Sequence, residues 1–165
     1  MTTADEVIDL LKKAKVVEGI EAVDTVEDKF EMSSKLSEFA GTLNHLKGEN
    51  VISEALLKKA LELDESNYTA HYNLGVLYSS PDVMEKNPDL VKFAIKHYLL
   101  ALKHKPDYHF ARYNLALLYY FTGEKDKALK EYEKILTAVG DDRRFRELGM
   151  LFLEEKRIKQ YMSDS

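Results

Sequence analysis

Apolar positions recur at helical spacing along this chain. From Tyr108 to Leu136 the sequence YHFARYNLALLYYFTGEKDKALKEYEKIL divides into two amphipathic helices around Thr122-Gly123, with Leu115, Ala116, Tyr119, Ala128, Tyr132 and Ile135 in helical register. The same grammar appears twice upstream. At the N-terminus, Thr3 and Glu6 spell a capping box. Val7, Leu10, Leu11, Ala14 and Val17 follow as one stripe, with Gly19 as a stop signal. A second stripe, Ile20, Val23, Val26 and Phe30, faces a run of acids and predicts a helix over 20–32, although Val and Thr are poor helix formers. Ser33 and Ser34 are candidate N-caps for the next helix.

From Ser34 onward the pattern is periodic. Ala40-Gly41, Leu74-Gly75 and Leu115-Ala116 are equivalent pairs, 34 and then 41 residues apart. Leu57, Tyr98 and Tyr132 on the second helices are 41 and then 34 apart, as are the ends at Glu65, Pro106 and Gly140. The two series agree only if seven residues are inserted between the two helices of the middle unit, between Tyr78 and Ala94. The inserted stretch, SSPDVMEKNPDL, places Pro81 and Pro88 at helix-start positions. It predicts a short helical turn at 81–86 and a lengthened second helix beginning near Pro88. We read the insertion as a tolerated loop rather than a lid.

A 34-residue period with two helices resembles the tetratricopeptide repeat, W-x2-L-G-x2-Y…A-x3-F…P. The middle repeat has Leu74-Gly75-x2-Tyr78, Ala94-x3-Tyr98 and Pro106; the third has Leu115-Ala116-x2-Tyr119 and Ala128-x3-Tyr132, with Gly140 in place of the proline. The first is more degenerate, with Ala40-Gly41, Ser53-x3-Leu57, Ala60 and Glu65. Ser37, His71 and Arg112 replace the tryptophan. The resemblance implies an all-α fold, a right-handed superhelical stack of antiparallel helix pairs. Its organisation would be an N-terminal helical extension (1–33), three repeats (34–67, 68–108 with the insertion, 109–142) and a capping helix with tail (143–165). The small residue lets two helices approach, and the aromatic fills the gap. Leu148-Gly149-Met150-Leu151-Phe152 echoes Leu74-Gly75-Val76-Leu77-Tyr78, which marks 142–161 as the capping helix, begun by Asp141 or Asp142.

The first helix of the third repeat carries a second stripe: Phe110, Tyr113, Leu117, Tyr120 and Phe121. A helix apolar on two faces is buried on two sides. Tyr72, Val76 and Ser79 form a thinner counterpart in the middle repeat, and Asn73 and Asn114 share one repeat position. In the family, first helices line a concave groove, and an asparagine at this position pairs with a bound peptide backbone. The resemblance therefore implies a peptide groove of Tyr72, Asn73, Val76, Phe110, Tyr113, Asn114, Leu117, Tyr120 and Phe121. Two alternatives stay open: a free groove, or one covered by residues 1–33. The positions that in some relatives clamp acidic chaperone C-termini are here Glu38, Thr42, Asn73, Phe110 and Asn114. Only Asn73 fits, and Glu38 would repel a carboxylate.

Composition narrows the chemistry. Among 165 residues there is no Cys, so disulfides and thiolate chemistry are excluded, and a reducing, cytoplasmic setting is the expectation. No apolar run approaches the roughly 20 residues that span a bilayer. Residues 1–67 carry 15 acids and 8 bases, a balance of −7; the remainder stands at +2. This modest asymmetry, without a clustered basic face, argues against a nucleic-acid partner. The five histidines form no metal-binding helical pair, and His104 and His109, flanking Pro106, read as surface residues. Arg143, Arg144 and Arg146 read as a solvated cluster. No catalytic or phosphate-loop motif is present, so neither catalysis nor a cofactor or metal is expected. The reading is a non-enzymatic adaptor or chaperone-like module that binds a protein or peptide segment. The alternative is a homo-oligomeric scaffold, with secretion-type tetratricopeptide chaperones as a fold-level analogy.

Overall fold

The computed structural model describes residues 3–13 and 29–164. The described residues are helical, with no strand, and no helix among them is long and apolar enough to cross a membrane. The chain divides into two compact units, Met1–Lys105 and Pro106–Ser165.

The first unit contains α1 (Ala4–Lys12), α2 (Lys29–Leu46), α3 (Asn50–Leu63), α4 (Tyr68–Tyr78), α5 (Pro81–Lys86) and α6 (Val91–His104). Thr3 and Glu6 close the capping box of α1, each side chain bonding the other's backbone N–H. Helix α1 buries Ile8 against Met32, with Leu11, Leu36 and Phe39 around them. The stripe read from sequence omitted Ile8. Its remaining members Ala14 and Val17, the stop at Gly19, and Ile20, Val23 and Val26 lie outside the described residues, as do the side chains of Val7, Leu10 and Phe30.

Helix α2 corrects the sequence reading. It runs unbroken from Lys29 through Ser33 and Ser34, so neither serine is an N-cap. Ser34 is fully buried. Its Oγ donates to the Ala60 carbonyl at 2.8 Å and accepts from Asn67 Nδ2 at 2.8 Å. A serine so satisfied sits inside a helix without seeking backbone partners of its own. Asn67 in turn caps α4 by accepting from the Ala70 N–H. Three helices, α2, α3 and α4, thus share one polar link.

Helices α2 and α3 pair, α3 packs on α4, and α4 pairs with α6. Each pairing rests on a missing side chain. A Cβ on Gly41 would approach Leu57 Cγ to 2.9 Å, and one on Gly75 would meet Tyr98 Cε1 at 2.5 Å. Helix α5 and a 3-10 turn, Pro88–Leu90, occupy the chain between α4 and α6. Pro88 opens that 3-10 turn rather than α-helix, because Leu90 N bonds Asn87 O across three residues. Helix α6 consequently has 14 residues, the same as α3, and is not lengthened.

The second unit contains α7 (His109–Phe121), α8 (Lys125–Val139) and α9 (Arg146–Asp164). Gly123, at φ +89°, makes the tight turn between α7 and α8. Asp142 caps the 3-10 turn Arg143–Phe145 that leads into α9. Tyr113, Ala116, Tyr132, Ile135, Phe145 and Leu148 form this unit's core, with Leu117, Tyr120, Leu151 and Phe152 packed on it. At the tryptophan position, Arg112 instead spans the helix pair. It bonds Glu131 Oε2 at 2.6 Å and the Pro106 carbonyl at 2.8 Å.

Candidate functional site

In the first unit, the first-helix surface brings Glu38 and Thr42 of α2 beside Asn73 of α4. Asn73 Nδ2 donates to Glu38 Oε1 at 2.6 Å and to Thr42 Oγ1 at 2.8 Å. Thr42 Oγ1 lies 3.0 Å from both the Glu38 carbonyl and Glu38 Oε1. All three side chains are half-buried. Burial pushes the Glu38 carboxyl above its ordinary range, against the lowering pull of Thr42, Lys12, Lys35 and Asn73. Tyr72 and Val76 are half-buried beside this cluster on α4, and the Tyr72 ring lies 6.1 Å from that of Tyr98.

This geometry narrows what Asn73 offers. Its carboxamide was expected to pair with both sides of a peptide backbone, but its amide nitrogen is committed to Glu38 and Thr42. The acceptors of the cluster not used in these bonds are Asn73 Oδ1 and Glu38 Oε2. A site of acceptors takes a ligand with N–H groups. The resemblance had already placed Glu38 and Thr42 with Asn73 as clamp positions; that they bond one another, across 35 and 31 residues, was not legible beforehand.

In the second unit, the aromatic stripe of α7 divides. Tyr113 is buried, its ring 5.3 Å from Phe145. Tyr120 meets Phe152 edge-on at 5.3 Å and donates from Oη to Glu155 Oε1 at 2.8 Å. Leu117 and Asn114 are half-buried. Phe110, 42% exposed, and Phe121, 69% exposed, face solvent. The arginines following α8 are not a bare cluster. Arg144 chelates Asp142 and lies over the rings of Phe110 and Phe145, each centroid 5.5 Å away, while Arg146 pairs with Asp141. The Asp142 carboxyl is held down at about 2 by those arginine contacts.

The histidines were read singly, and the structure groups three of them. His71 Nδ1 lies 3.0 Å from His97 Nδ1, and the His104 ring stacks on His71 at 5.8 Å. His104 is therefore half-buried in a cluster, not a surface residue. The available signal was that His71 stands at the tryptophan position, which is a core position in the repeat.

No protein-family model matches the chain. Among curated proteins, the antiviral innate immune response effector IFIT1 of Macaca fascicularis is 27% identical over 95 residues, 49% of this chain and 20% of that protein. Among solved structures, a human IFIT1 dimer with PPP-AAAA is similar at 26% identity and TM-score 0.59, over 81% of this chain and 30% of that one. MamA is similar at 22% identity and TM-score 0.58, over 81% of this chain and 74% of that one. The chain thus spans 20–38% of the IFIT1 proteins it matches. These similarities and the helix-pair architecture define the class: the protein has the all-α, tetratricopeptide-type helical-repeat fold.

One expectation is overturned here. The charge balance argued against a nucleic-acid partner, yet the related IFIT1 fold is seen with PPP-AAAA and with m7Gppp-AAAA. Net charge reports on surfaces that track a duplex. A balance summed over the whole chain does not report on a local charged groove with stacking aromatics, so −5 does not argue against such a partner.

Proposed function

We propose that the protein is a binding module, without catalysis of its own, that holds a polypeptide segment on its first-helix surfaces. The three-repeat partition at 34–67, 68–108 and 109–142 and a cytoplasmic setting belong to the same reading, the latter resting on the cysteine-free sequence. The supporting observation is the Glu38–Thr42–Asn73 cluster of the first unit. Its remaining polar groups accept hydrogen bonds, and its one charge is a half-buried carboxylate. Backbone amides, lysine and arginine satisfy such a surface; a phosphate, itself an acceptor, does not. Tyr72 and Val76 supply apolar contact beside it, and aromatic anchors often dominate such interfaces. In the second unit, Phe110, Leu117 and Phe121 are the members of the predicted set with the most surface to offer, while Tyr113, Asn114 and Tyr120 act behind them.

The test selects peptides from a random display library on the full chain and measures their affinity by fluorescence polarisation. PPP-AAAA and m7Gppp-AAAA form the second arm. Selected peptides enriched in Lys or Arg are expected, with affinity lost in Glu38→Gln and Asn73→Ala. The Lys127→Ala, Lys130→Ala pair on α8 keeps it. Oligonucleotide binding without peptide binding, or peptide binding indifferent to Glu38 and Asn73, overturns the reading.

A further inference from the structure

Helix α9 opens with Leu148-Gly149, the same pair that on α4 receives Tyr98 from α6. On α9 the equivalent glycine, Gly149, faces Tyr132 of α8, whose Oη would stand 2.5 Å from a Cβ there. Beside that contact, α8 and α9 border an open groove of about 680 Å³, lined by Leu129, Leu136, Phe152 and Leu153. Leu153 is 61% exposed, and Met150, one turn before it, is 67% exposed. Lys125 and Glu155 close one end as an ion pair.

The rims differ in sign. The α8 wall carries Asp126 and Glu133, and the α9 wall carries Lys156 and Lys159. None of these four has an ion-pair partner among the described residues. An apolar floor between an acidic wall and a basic wall is complementary to itself under a two-fold rotation. The rotation lays the α9 of one copy in the groove of the other. Its Met150 and Leu153 then cover the floor, and its Lys156 and Lys159 face Asp126 and Glu133. An unrelated helix would have to supply the same apolar ridge and the same basic flank; a second copy has both.

We infer that the α8–α9 groove is a homotypic docking surface, in which α8 and α9 of two copies assemble as a four-helix contact. The site is distinct from the peptide surface proposed for the first unit and does not depend on it.

Sedimentation velocity on the full chain across a concentration series tests this. A reversible dimer is expected. Leu153→Glu, at an exposed position, should give a monomer with unchanged helical circular dichroism. The pair Asp126→Lys, Glu133→Lys and the pair Lys156→Glu, Lys159→Glu should each weaken self-association by roughly tenfold or more. Mixed in equal amounts, the two charge variants place opposite signs on both contacts and should recover a heterodimer. A wild-type chain that stays monomeric overturns the inference. So does a dimer unmoved by Leu153→Glu, or a mixture that fails to associate.

Discussion

A Cβ placed on Gly75 would stand 2.5 Å from Cε1 and 2.7 Å from Cδ1 of Tyr98. The tyrosine ring lies flat where the side chain of any other residue would be. It is 1% exposed, and its Oη is held 2.9 Å from Ser79 Oγ at the end of α4. The ring therefore has no room to retreat. Gly75→Ala should destabilise the chain by about 1–3 kcal/mol, the usual cost of overpacking, and Gly75→Leu by more. Tyr98→Leu in the Gly75→Ala background should recover part of the loss by vacating the ring position. Chemical denaturation gives the midpoints. Equal midpoints for wild type and Gly75→Ala would mean that the α4–α6 contact yields freely.

That relationship was legible in the sequence because it recurs. Gly41 with Leu57 and Gly75 with Tyr98 are one device used twice, and repetition at a fixed period separates signal from chance. The capping box at Thr3 was legible because its partners are three residues apart. What escaped depended on contacts between distant segments. Ser34 looks like a cap until Ala60 and Asn67 arrive to satisfy it. Tyr113 reads as a groove residue until Phe145, 32 positions later, covers its face. The Asn73 carboxamide was placed, but its commitment to Glu38 follows from the packing of α4 on α2. The histidines escaped for the same reason, since 26 residues separate His71 from His97. Local period encodes which face is buried; it does not encode which side chain waits there.

Ser34 carries a polar link between three segments. Its hydroxyl donates to Ala60 O and accepts from Asn67 Nδ2, and none of these groups can turn to water. Ser34→Ala should cost about 1–3 kcal/mol by leaving the buried Asn67 Nδ2 without this acceptor, while Ala60 O keeps the Asp64 N–H at 2.9 Å. The slope of stability with denaturant should stay the same, because the unfolding transition exposes the same surface. Loss of less than a few tenths of a kcal/mol would show that the site relaxes around the missing hydroxyl.

Arg112 joins α7 to α8 through Glu131, with side chains 14% and 16% exposed. Removing one partner of so enclosed a pair leaves a charge with poor access to water. Arg112→Met should therefore destabilise the chain more than Glu131→Gln does. The methionine leaves both a carboxylate and the Pro106 carbonyl short of a donor, whereas the glutamine side-chain oxygen can still accept from Arg112. Lys134, already 2.6 Å from Glu131 Oε1, moderates the loss. Thermal melts of both single variants and the double variant measure the coupling. Additive effects would show that the two groups are energetically independent.

Acid should loosen the first unit through its histidines. His71 Nε2 faces the Glu65 carbonyl at 3.1 Å, so that nitrogen carries the proton and Nδ1 accepts from His97 Nδ1–H. Desolvation is the main cause that lowers both rings, and His97 is brought to about 4 by burial, by His71 and by Lys96 and Lys58. For His71 the Glu65 carbonyl works against burial, while His104 and Lys96 add to the lowering. The remaining neighbour, Tyr78, whose ring lies 5.8 Å from that of His97, is itself pushed up by burial and Glu54 and stays neutral. In the unfolded chain these histidines take up protons near pH 6.5. The unfolded state thus binds more protons between about pH 6.5 and 4, so stability is complete above that window and falls as pH drops through it. His97→Gln keeps a side chain able to donate to His71 but removes one titrating ring. Its denaturant midpoint should change less than the wild-type midpoint between pH 7 and pH 5. If both midpoints fall by the same amount, the acid sensitivity lies in other groups and the cluster is not its source.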